Sequence, residues 1–350
     1  MLQRLFGDAA SSFRVKLISL YALLGLFNIV AWAWALVAFQ DYPVLLGTAL
    51  LAYTLGLRHA VDADHIAAID NVTRKMMQEG KRPLTVGLFF SLGHSSIVLG
   101  LSVAIAVTTA ALQSRFEAFK EVGGIIGTSV SAFFLFAIAA ANIVVLVAII
   151  KTFRAVKAGR PLVEEDIDLL LANRGLLGRM FRRLFRLIER SWHMYPLGLL
   201  FGLGFDTATE VGLLGISASQ ASMGLPIWSI LVFPVLFTAG MTLVDTIDST
   251  LMLAAYDWAF KKPIRKLYYN ITITFLSVVI AVLIGCIETL ALLADKLSLE
   301  GAFWDSIGAV SENFGVVGFG LIGLFMATWA ISTVIYRVRR YDEIEVEVRT

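Results

Sequence analysis

The segment from 58 to 66, RHAVDADHI, carries the side chains in this sequence that are best suited to chemistry. An α-helix turns by about 100° per residue, so His59, Asp62 and His65 would lie within one arc of about 120° on its surface. Two imidazoles beside a carboxylate predict part of a coordination shell, and imidazole suits Ni, Cu, Zn and Fe, whereas Mg and Ca prefer oxygen ligands. Asp64 points about 100° away from His65, towards a second shell or another interface, unless the helix is locally unwound. The alternative is that these side chains only form interhelical hydrogen bonds.

A third histidine follows in the next hydrophobic segment, within the sequence GHSS at 93–96. Gly93 permits close approach of a neighbouring backbone, so His94 can reach the same centre from an adjacent helix. The predicted metal ligands are therefore His59, Asp62, His65 and His94.

Two further segments place acidic side chains in apolar stretches of the chain. In GFDTATE at 204–210, Asp206 and Glu210 are four residues apart and share a helix face. In GMTLVDTID at 240–248, two carboxylates and a thioether are spaced at i, i+4 and i+7 on one stripe. We predict that these segments line a transport path, accept protons or pair with Arg58; the residues concerned are Asp64, Asp206, Thr207, Glu210, Met241, Asp245 and Asp248. By contrast, we expect Asp70 and Glu288 to lie at solvated helix ends.

The composition places these residues in a membrane. The chain has 350 residues, of which 58% are hydrophobic and 16% charged, against about 25% charged in a soluble domain. A spanning helix needs about 20 apolar residues, so we predict an all-α polytopic membrane protein that forms a single domain over residues 1–350. The eight predicted spans are 17–39, 44–70, 84–111, 123–150, 195–218, 227–256, 267–294 and 307–336. A charge in mid-membrane costs roughly 2.5–3.5 kcal/mol, so the charged residues within spans are expected to face the protein interior.

The distribution of basic residues predicts the orientation. Of the 29 Lys and Arg residues, 25 fall in the termini and in the connections on the same side, and three fall on the other side. The positive-inside rule therefore predicts cytoplasmic N- and C-termini in the cytoplasmic membrane. The basic connection 151–194 alternates apolar residues and arginines at helical spacing, which predicts an amphipathic helix over 176–190 on the lipid surface. The dispersed basic charge does not favour nucleic-acid binding, and the sequence has no Gly-rich phosphate loop for ATP.

The sequence also contains a candidate internal repeat. FSLGHS at 90–95 in the third span resembles FTAGMT at 237–242 in the sixth, and an acidic segment precedes each of them. An offset of three spans inserts the two copies in opposite orientations, and inverted repeats place substrate sites near the midplane. We therefore predict a 3+3 inverted repeat of spans 1–3 and 4–6, with two extra helices outside it. A shared Gly, Ser and Phe bias of membrane helices is the alternative explanation.

The segments at 58–66, 93–98, 204–210 and 240–248 together resemble the motifs of the nickel/cobalt transporter (NiCoT) family of high-affinity nickel permeases. The eight spans and the basic connection after the fourth also fit, so the resemblance covers nearly the whole chain. It implies uptake of Ni²⁺, Co²⁺ or both across the cytoplasmic membrane, with the motif at 58–66 central to metal recognition. It further implies a permease rather than an enzyme, with the metal as substrate and no resident cofactor.

An inside-negative membrane potential supplies about 2.3 kcal/mol per charge per 100 mV, or roughly 4.6 kcal/mol for a divalent cation, which favours secondary transport into the cell. Three alternatives stay open at this point. They are efflux of the same metals, a bis-histidine haem protein, and an intramembrane zinc hydrolase with three histidine ligands and Asp62 or Asp64 as base. No HExxH motif or GxSxG elbow supports the hydrolase. The sequence makes no prediction about oligomeric state.

Overall fold

The computed structural model describes residues 13–107, 113–157, 162–163, 188–203, 208–259, 263–338 and 348–349. This part of the chain is helical, apart from a two-residue parallel pair of β1 (Leu162–Val163) with β2 (Val348–Arg349). A 3₁₀ turn at Ser191–His193 precedes the sixth helix. The helices are α1 (Phe13–Ala38), α2 (Pro43–His59), α3 (Ala63–Gln78), α4 (Val86–Val107), α5 (Gln113–Lys157), α6 (Met194–Phe201), α7 (Ala208–Ser222), α8 (Ile227–Ile230), α9 (Val232–Ala259), α10 (Pro263–Leu297), α11 (Ala302–Glu312) and α12 (Phe314–Val338).

Six helical segments of the described chain are long and apolar enough to cross a membrane, and the bent pair α2–α3 makes a seventh if it counts as one span. The prediction of an all-helical polytopic membrane protein is thereby confirmed. The predicted span at 195–218 corresponds to the shorter helices α6 and α7, which have 8 and 15 residues. Each is shorter than the roughly 20 residues that a single crossing needs.

The second predicted span is broken at the motif that carries two histidines. Helix α2 ends at His59, α3 begins at Ala63, and the two axes are bent by 51°. Asp62 stands at the N-cap position of α3 in an extended conformation, with φ −63° and ψ 145°, but its side chain makes no capping hydrogen bond. The motif is therefore not one continuous helix, and of the two possibilities that the sequence left open the local unwinding is the one observed. Helix α3 continues to residue 78 rather than 70.

Helix α9 lies at the centre of the bundle and packs against α1, α2, α3 and α4. Helix α4 also packs against α6, α5 packs along α10, and both α10 and α12 contact α3. A Cβ atom at Gly318 of α12 would overlap the carbonyl oxygen of Val61, so α12 lies directly against the helix break. The prediction that the last two hydrophobic helices lie outside the core is wrong, because backbone groups freed by a break inside a membrane must be shielded from lipid by protein.

The cytoplasmic connection predicted at 71–83 is in part helical core. Arg74 and Lys75 lie within α3, and their exposed fractions are 0% and 4%. Lys75 Nζ donates to the carbonyl oxygen of Ile188 at 2.6 Å, so the end of α3 is joined to the chain that leads into α6. The predicted surface helix at 176–190 lies outside the described residues except for 188–190, and it stays a prediction.

Candidate metal centre

Three histidines from two predicted spans meet in the interior of the bundle. His59 is the last residue of α2, His65 lies in the first turn of α3, and His94 lies within α4. The ring centroids are 4.7 Å apart for His59 and His65, 4.8 Å for His59 and His94, and 4.9 Å for His65 and His94. One nitrogen of each ring lies within 4.8 Å of the others, and no residue of the three is more than 2% exposed. The arrangement fits one metal ion.

A carboxylate oxygen joins two of these nitrogens. The distance from His59 Nε2 to His94 Nε2 is 2.9 Å, and Oε1 of Glu210 lies 2.8 Å from His94 Nε2 and 3.8 Å from His59 Nε2. Adjacent ligands of a metal bound at about 2.1 Å stand roughly 3 Å apart when they subtend a right angle. Two of the three distances therefore match the spacing of neighbouring ligands, and Glu210 lies beside the three histidines.

The Nδ1 atoms of His59 and His65 each lie close to a carboxylate oxygen. His59 Nδ1 lies 2.8 Å from Oδ2 of Asp62 and 3.1 Å from Oγ1 of Thr209. His65 Nδ1 lies 3.3 Å from Oδ2 of Asp245, and its Nε2 has no hydrogen-bond partner among the described residues. Carboxylates in this position fix the tautomer and orientation of a metal-binding imidazole.

Aromatic rings and burial close the centre on its remaining sides. The rings of Phe237 and His59 are 5.5 Å apart, and those of Phe90 and His65 are 4.8 Å apart. Asp62, Glu210 and Asp245 are at most 3% exposed, so their charge is concentrated in a region without bulk water. Buried carboxylates in such a position can compensate the charge of a divalent cation.

A model of the high-affinity nickel-transport protein family (NicO) matches residues 45–335. The chain belongs to this family. It is 66% identical to the high-affinity nickel transport protein of Cupriavidus necator over 95% of each chain. It is 46% identical to the nickel transporter NixA of Staphylococcus aureus, over 94% of this chain and 96% of that one, and 44% identical to the cobalt transport protein NhlF of Rhodococcus rhodochrous over 81% of each. No solved structure matches the chain.

Members of the high-affinity nickel-transport family are permeases, so the NiCoT resemblance and the expectation of a protein that is not an enzyme are both confirmed. Membership does not favour the hydrolase or the haem protein. The remaining question for this permease is which residues handle the ion.

The other predicted path residues of the permease occupy different environments. Asp64 and Asp248 are half-buried, and Met241 is fully buried in an apolar cluster with Phe237 and Ala239. Arg58 is exposed, so the expectation that it faces the interior is wrong; its long side chain extends from the end of α2 beside the start of α12. Asp206 and Thr207 lie outside the described residues, and their roles stay predictions.

Two acidic residues expected at solvated helix ends are in fact buried. Asp70 is 0% exposed and accepts hydrogen bonds from the hydroxyls of Tyr256 and Ser277, the latter at 2.6 Å. Glu288 is 4% exposed and accepts a hydrogen bond from Ser131 Oγ at 2.8 Å. The hydropathy profile gave the wrong exposure for both residues, because it cannot show that helices from distant parts of the chain cover them. For Asp70, the sequence does contain a signal of an interior role. Arg74 follows four residues later, which is the spacing of neighbours on one helix face.

Proposed function

We propose that this permease imports Ni²⁺, Co²⁺ or both across the cytoplasmic membrane, and that the ion binds to His59, His65, His94 and Glu210. The observation that carries the proposal is the convergence of His59 Nε2, His94 Nε2 and Glu210 Oε1 in a buried centre. Nickel and cobalt both accept imidazole and carboxylate ligands. The printed names of the relatives, which include nickel and cobalt transport proteins, point to the same ions.

Asp62, predicted from the sequence as a ligand, has a different role in this proposal. It lies on Nδ1 of His59, on the opposite edge of the ring from Nε2. Asp62 then orients His59 and stabilises its charge when the metal binds, and Asp245 does the same for His65. Asp64 and Asp248 remain candidates for conducting the ion away from the centre.

The packing of four glycines supports two inverted halves. A Cβ atom at Gly93 of α4 would overlap the carbonyl oxygen of Tyr195 in α6, and a Cβ atom at Gly240 of α9 would lie 2.8 Å from the carbonyl oxygen of Tyr53 in α2. The contacts are reciprocated, since Gly198 of α6 abuts Phe90 and Gly56 of α2 abuts Phe237. Helices α2 and α4 belong to the predicted first half (spans 1–3), and α6 and α9 belong to the second (spans 4–6). The halves thus meet at two crossings with matching residues: Tyr53 and Gly56 of α2 against α9, and Tyr195 and Gly198 of α6 against α4.

This correspondence favours an eight-span arrangement in which α6 and α7 form a broken fifth span equivalent to α2 and α3. The centre then lies between two broken spans, as in transporters built from inverted repeats. An ion from outside sheds water and binds, and a rocking motion of the two halves exposes it to the cytoplasm. The inside-negative potential contributes about 2.3 kcal/mol per charge per 100 mV to this movement. The excess of basic residues at the termini supports their cytoplasmic location.

The test is uptake of radiolabelled Ni²⁺ and Co²⁺ at nanomolar concentration by cells that express the wild-type protein, His59→Ala or His193→Ala at matched membrane levels. His193, the fourth histidine, lies outside the centre and contacts the backbone of Glu189 at 3.2 Å. We expect accumulation above the vector control for wild type and His193→Ala, and none for His59→Ala. Accumulation below the vector control would indicate efflux, and equal uptake by all three proteins would refute the proposed centre.

A further inference from the structure

A second cluster of buried polar side chains is centred on Arg74 of α3. By the helical rise of 1.5 Å per residue, Arg74 lies about 14 Å beyond His65 along the helix. The Arg74 side chain is 0% exposed. Arg74 Nε donates to Ser277 Oγ at 3.2 Å and Nη1 donates to Thr274 Oγ1 at 3.2 Å, both on α10. Nη2 donates to Asn71 Oδ1 at 2.9 Å, and that oxygen also accepts from Asn142 of α5 at 2.8 Å.

The same group reaches α9 through Asp70. Ser277 donates to Asp70 at 2.6 Å, and the Tyr256 hydroxyl of α9 donates to the other oxygen of Asp70. Four helices, α3, α5, α9 and α10, are therefore tied together at one level of the bundle. The hydrogen bonds of Arg74 all go to uncharged oxygens, and Ser277 links it to the carboxyl group of Asp70 one turn earlier. A positive charge is retained in the core.

The position of this group matters because polar side chains lead to it from the metal centre. On α9, Asp245 contacts His65, Ser249 is one turn further on and fully buried, and Tyr256 follows two turns later. On the opposite side, α3 packs against α4 and α6 through apolar side chains, among them Ile69, Val72 and Phe90. Between His65 and Arg74, α3 packs against α10 through apolar side chains that include Ile66 and Ile280. The polar side chains of α9 are therefore the ligands that a hydrated or partly hydrated cation can follow from the centre to this group, whereas the apolar interfaces offer it none.

We propose that Arg74, with Ser277, Thr274, Asp70 and Tyr256, forms the cytoplasmic gate of the transport path. The gate is closed in this structure by the bonds between α3 and α10, and the guanidinium adds an electrostatic barrier to a divalent cation. Release of the ion requires α3 to separate from α10, which breaks the bonds of Arg74 to Ser277 and Thr274. The inference rests on the proposed transport function, because only a transported ion needs such an exit.

The experiment measures access to a thiol placed between the centre and the gate. The only cysteine, Cys286, is replaced by alanine, and Ser249→Cys serves as the reporter. Ser249 is fully buried, and its hydroxyl bonds only within its own helix, to Thr246 at 3.2 Å. A membrane-impermeant maleimide is applied to the cytoplasmic face of inside-out vesicles, and the labelling rate is measured in the parent and in the Arg74→Gln and Ser277→Ala backgrounds.

We expect slow labelling in the parent and an increase of about tenfold or more in Arg74→Gln, the effect of losing hydrogen bonds to a charged group. Ser277→Ala keeps the charge of Arg74 and is expected to give a smaller increase in the labelling rate. If Arg74→Gln does not fold, Ser277→Ala still tests the gate. The matched control is Lys75→Gln, which removes a neighbouring buried cation that donates to Ile188 and pairs with Glu79. Unchanged labelling in both gate variants, or an equal increase in Lys75→Gln, would overturn the proposal. Because a thiol reagent is the probe, this outcome is independent of which metal is carried.

Discussion

At the candidate metal centre, the Nδ1 and Nε2 atoms of one imidazole ring contact different kinds of partner. The Nε2 atom of His59 faces His94, while its Nδ1 atom contacts Asp62 and Thr209. His65 has the same division, with Nδ1 on Asp245 and Nε2 without a hydrogen-bond partner among the described residues. Residues that hold the second nitrogen affect the metal indirectly, through the orientation and basicity of the ring. This distinction can be measured.

We predict that Asp62→Asn weakens Ni²⁺ binding by about 10–100-fold in the wild-type background, the usual cost of losing such a carboxylate partner. In the His59→Ala background the same substitution should have no further effect, because its action passes through His59. Calorimetric titration of the purified protein gives both dissociation constants. Asp305→Asn, on the exposed helix α11, is the control. A loss of equal size in both backgrounds would mean that Asp62 binds the metal directly.

Glu210 is expected to behave differently, because its oxygen faces the metal-binding nitrogens themselves. We predict that Glu210→Gln weakens Ni²⁺ binding in both the wild-type and the His59→Ala backgrounds, since it removes a charged ligand rather than a partner of His59. The same titrations measure this effect. Full coupling of Glu210 to His59, with no loss in the second background, would place Glu210 outside the coordination shell.

At the scale of the helices, close crossings decide where the centre forms. Helix α2 approaches α9 so closely that the backbone of Phe237 occupies the space where Gly56 would carry a side chain. This crossing brings the end of α2, with His59, to the interior. The start of α12 then covers the break between α2 and α3, at Gly315 and Gly318.

We predict that Gly56→Val destabilises the folded permease by about 1–3 kcal/mol, the typical cost of overpacking, and abolishes uptake. Gly25→Val is the matched control, because a Cβ atom at Gly25 has nothing within 4 Å. Thermal unfolding in detergent, followed by tryptophan fluorescence, gives the change in stability. Equal stability of the two variants would show that the crossing of α2 and α9 is looser than described here.

A second prediction at this scale concerns α12. A Cβ atom at Gly315 would lie 3.2 Å from Oδ1 of Asp62, whereas one at Gly320 would have nothing within 4 Å. We expect Gly315→Ala to weaken Ni²⁺ binding severalfold by displacing Asp62 from His59, and Gly320→Ala to leave binding unchanged. The readout is the dissociation constant of the purified variants. The same affinity for both variants would remove α12 from the support of the centre.

At the scale of the whole molecule, the side chains of the buried centre come from distant helices: the three histidines from α2, α3 and α4, Glu210 from α7 and Asp245 from α9. In the proposed function, the buried carboxyl groups of Asp62, Glu210 and Asp245 compensate the charge of a divalent cation in that position. If the permease imports the cation as proposed, an inside-negative potential favours the movement by about 2.3 kcal/mol per charge per 100 mV.

We predict that purified protein in liposomes accumulates Ni²⁺ faster when a potassium gradient with valinomycin makes the interior negative than when the potential is zero. Liposomes that contain His59→Ala control for leakage of the membrane. Transport that is equal at both potentials but follows an imposed proton gradient would contradict a potential-driven uniport and would indicate proton coupling.

Properties that depend on short stretches of chain were accessible from the sequence. Hydropathy over about 20 residues predicted the helical membrane architecture, because lipid leaves the backbone few alternatives to a helix. The side-chain types in the motif at 58–66, with His94, predicted a metal-binding family, and the family match confirms it. The candidate set of histidines needed no knowledge of distant contacts.

Only the tertiary structure decided how these residues are used. His59 meets His94 across 35 residues, and His65 meets Asp245 across 180. No local pattern encodes which helices will be neighbours, so the sequence left Glu210 in a general path and placed residues 71–83, which include Arg74, between two predicted spans. The sequence left the helix break at 60–62 only as an alternative, because the residues there are compatible with a helix; in the structure α12 packs directly against the break. Hydrophobicity determined that the chain enters the membrane, and long-range packing determined which side chains meet inside it.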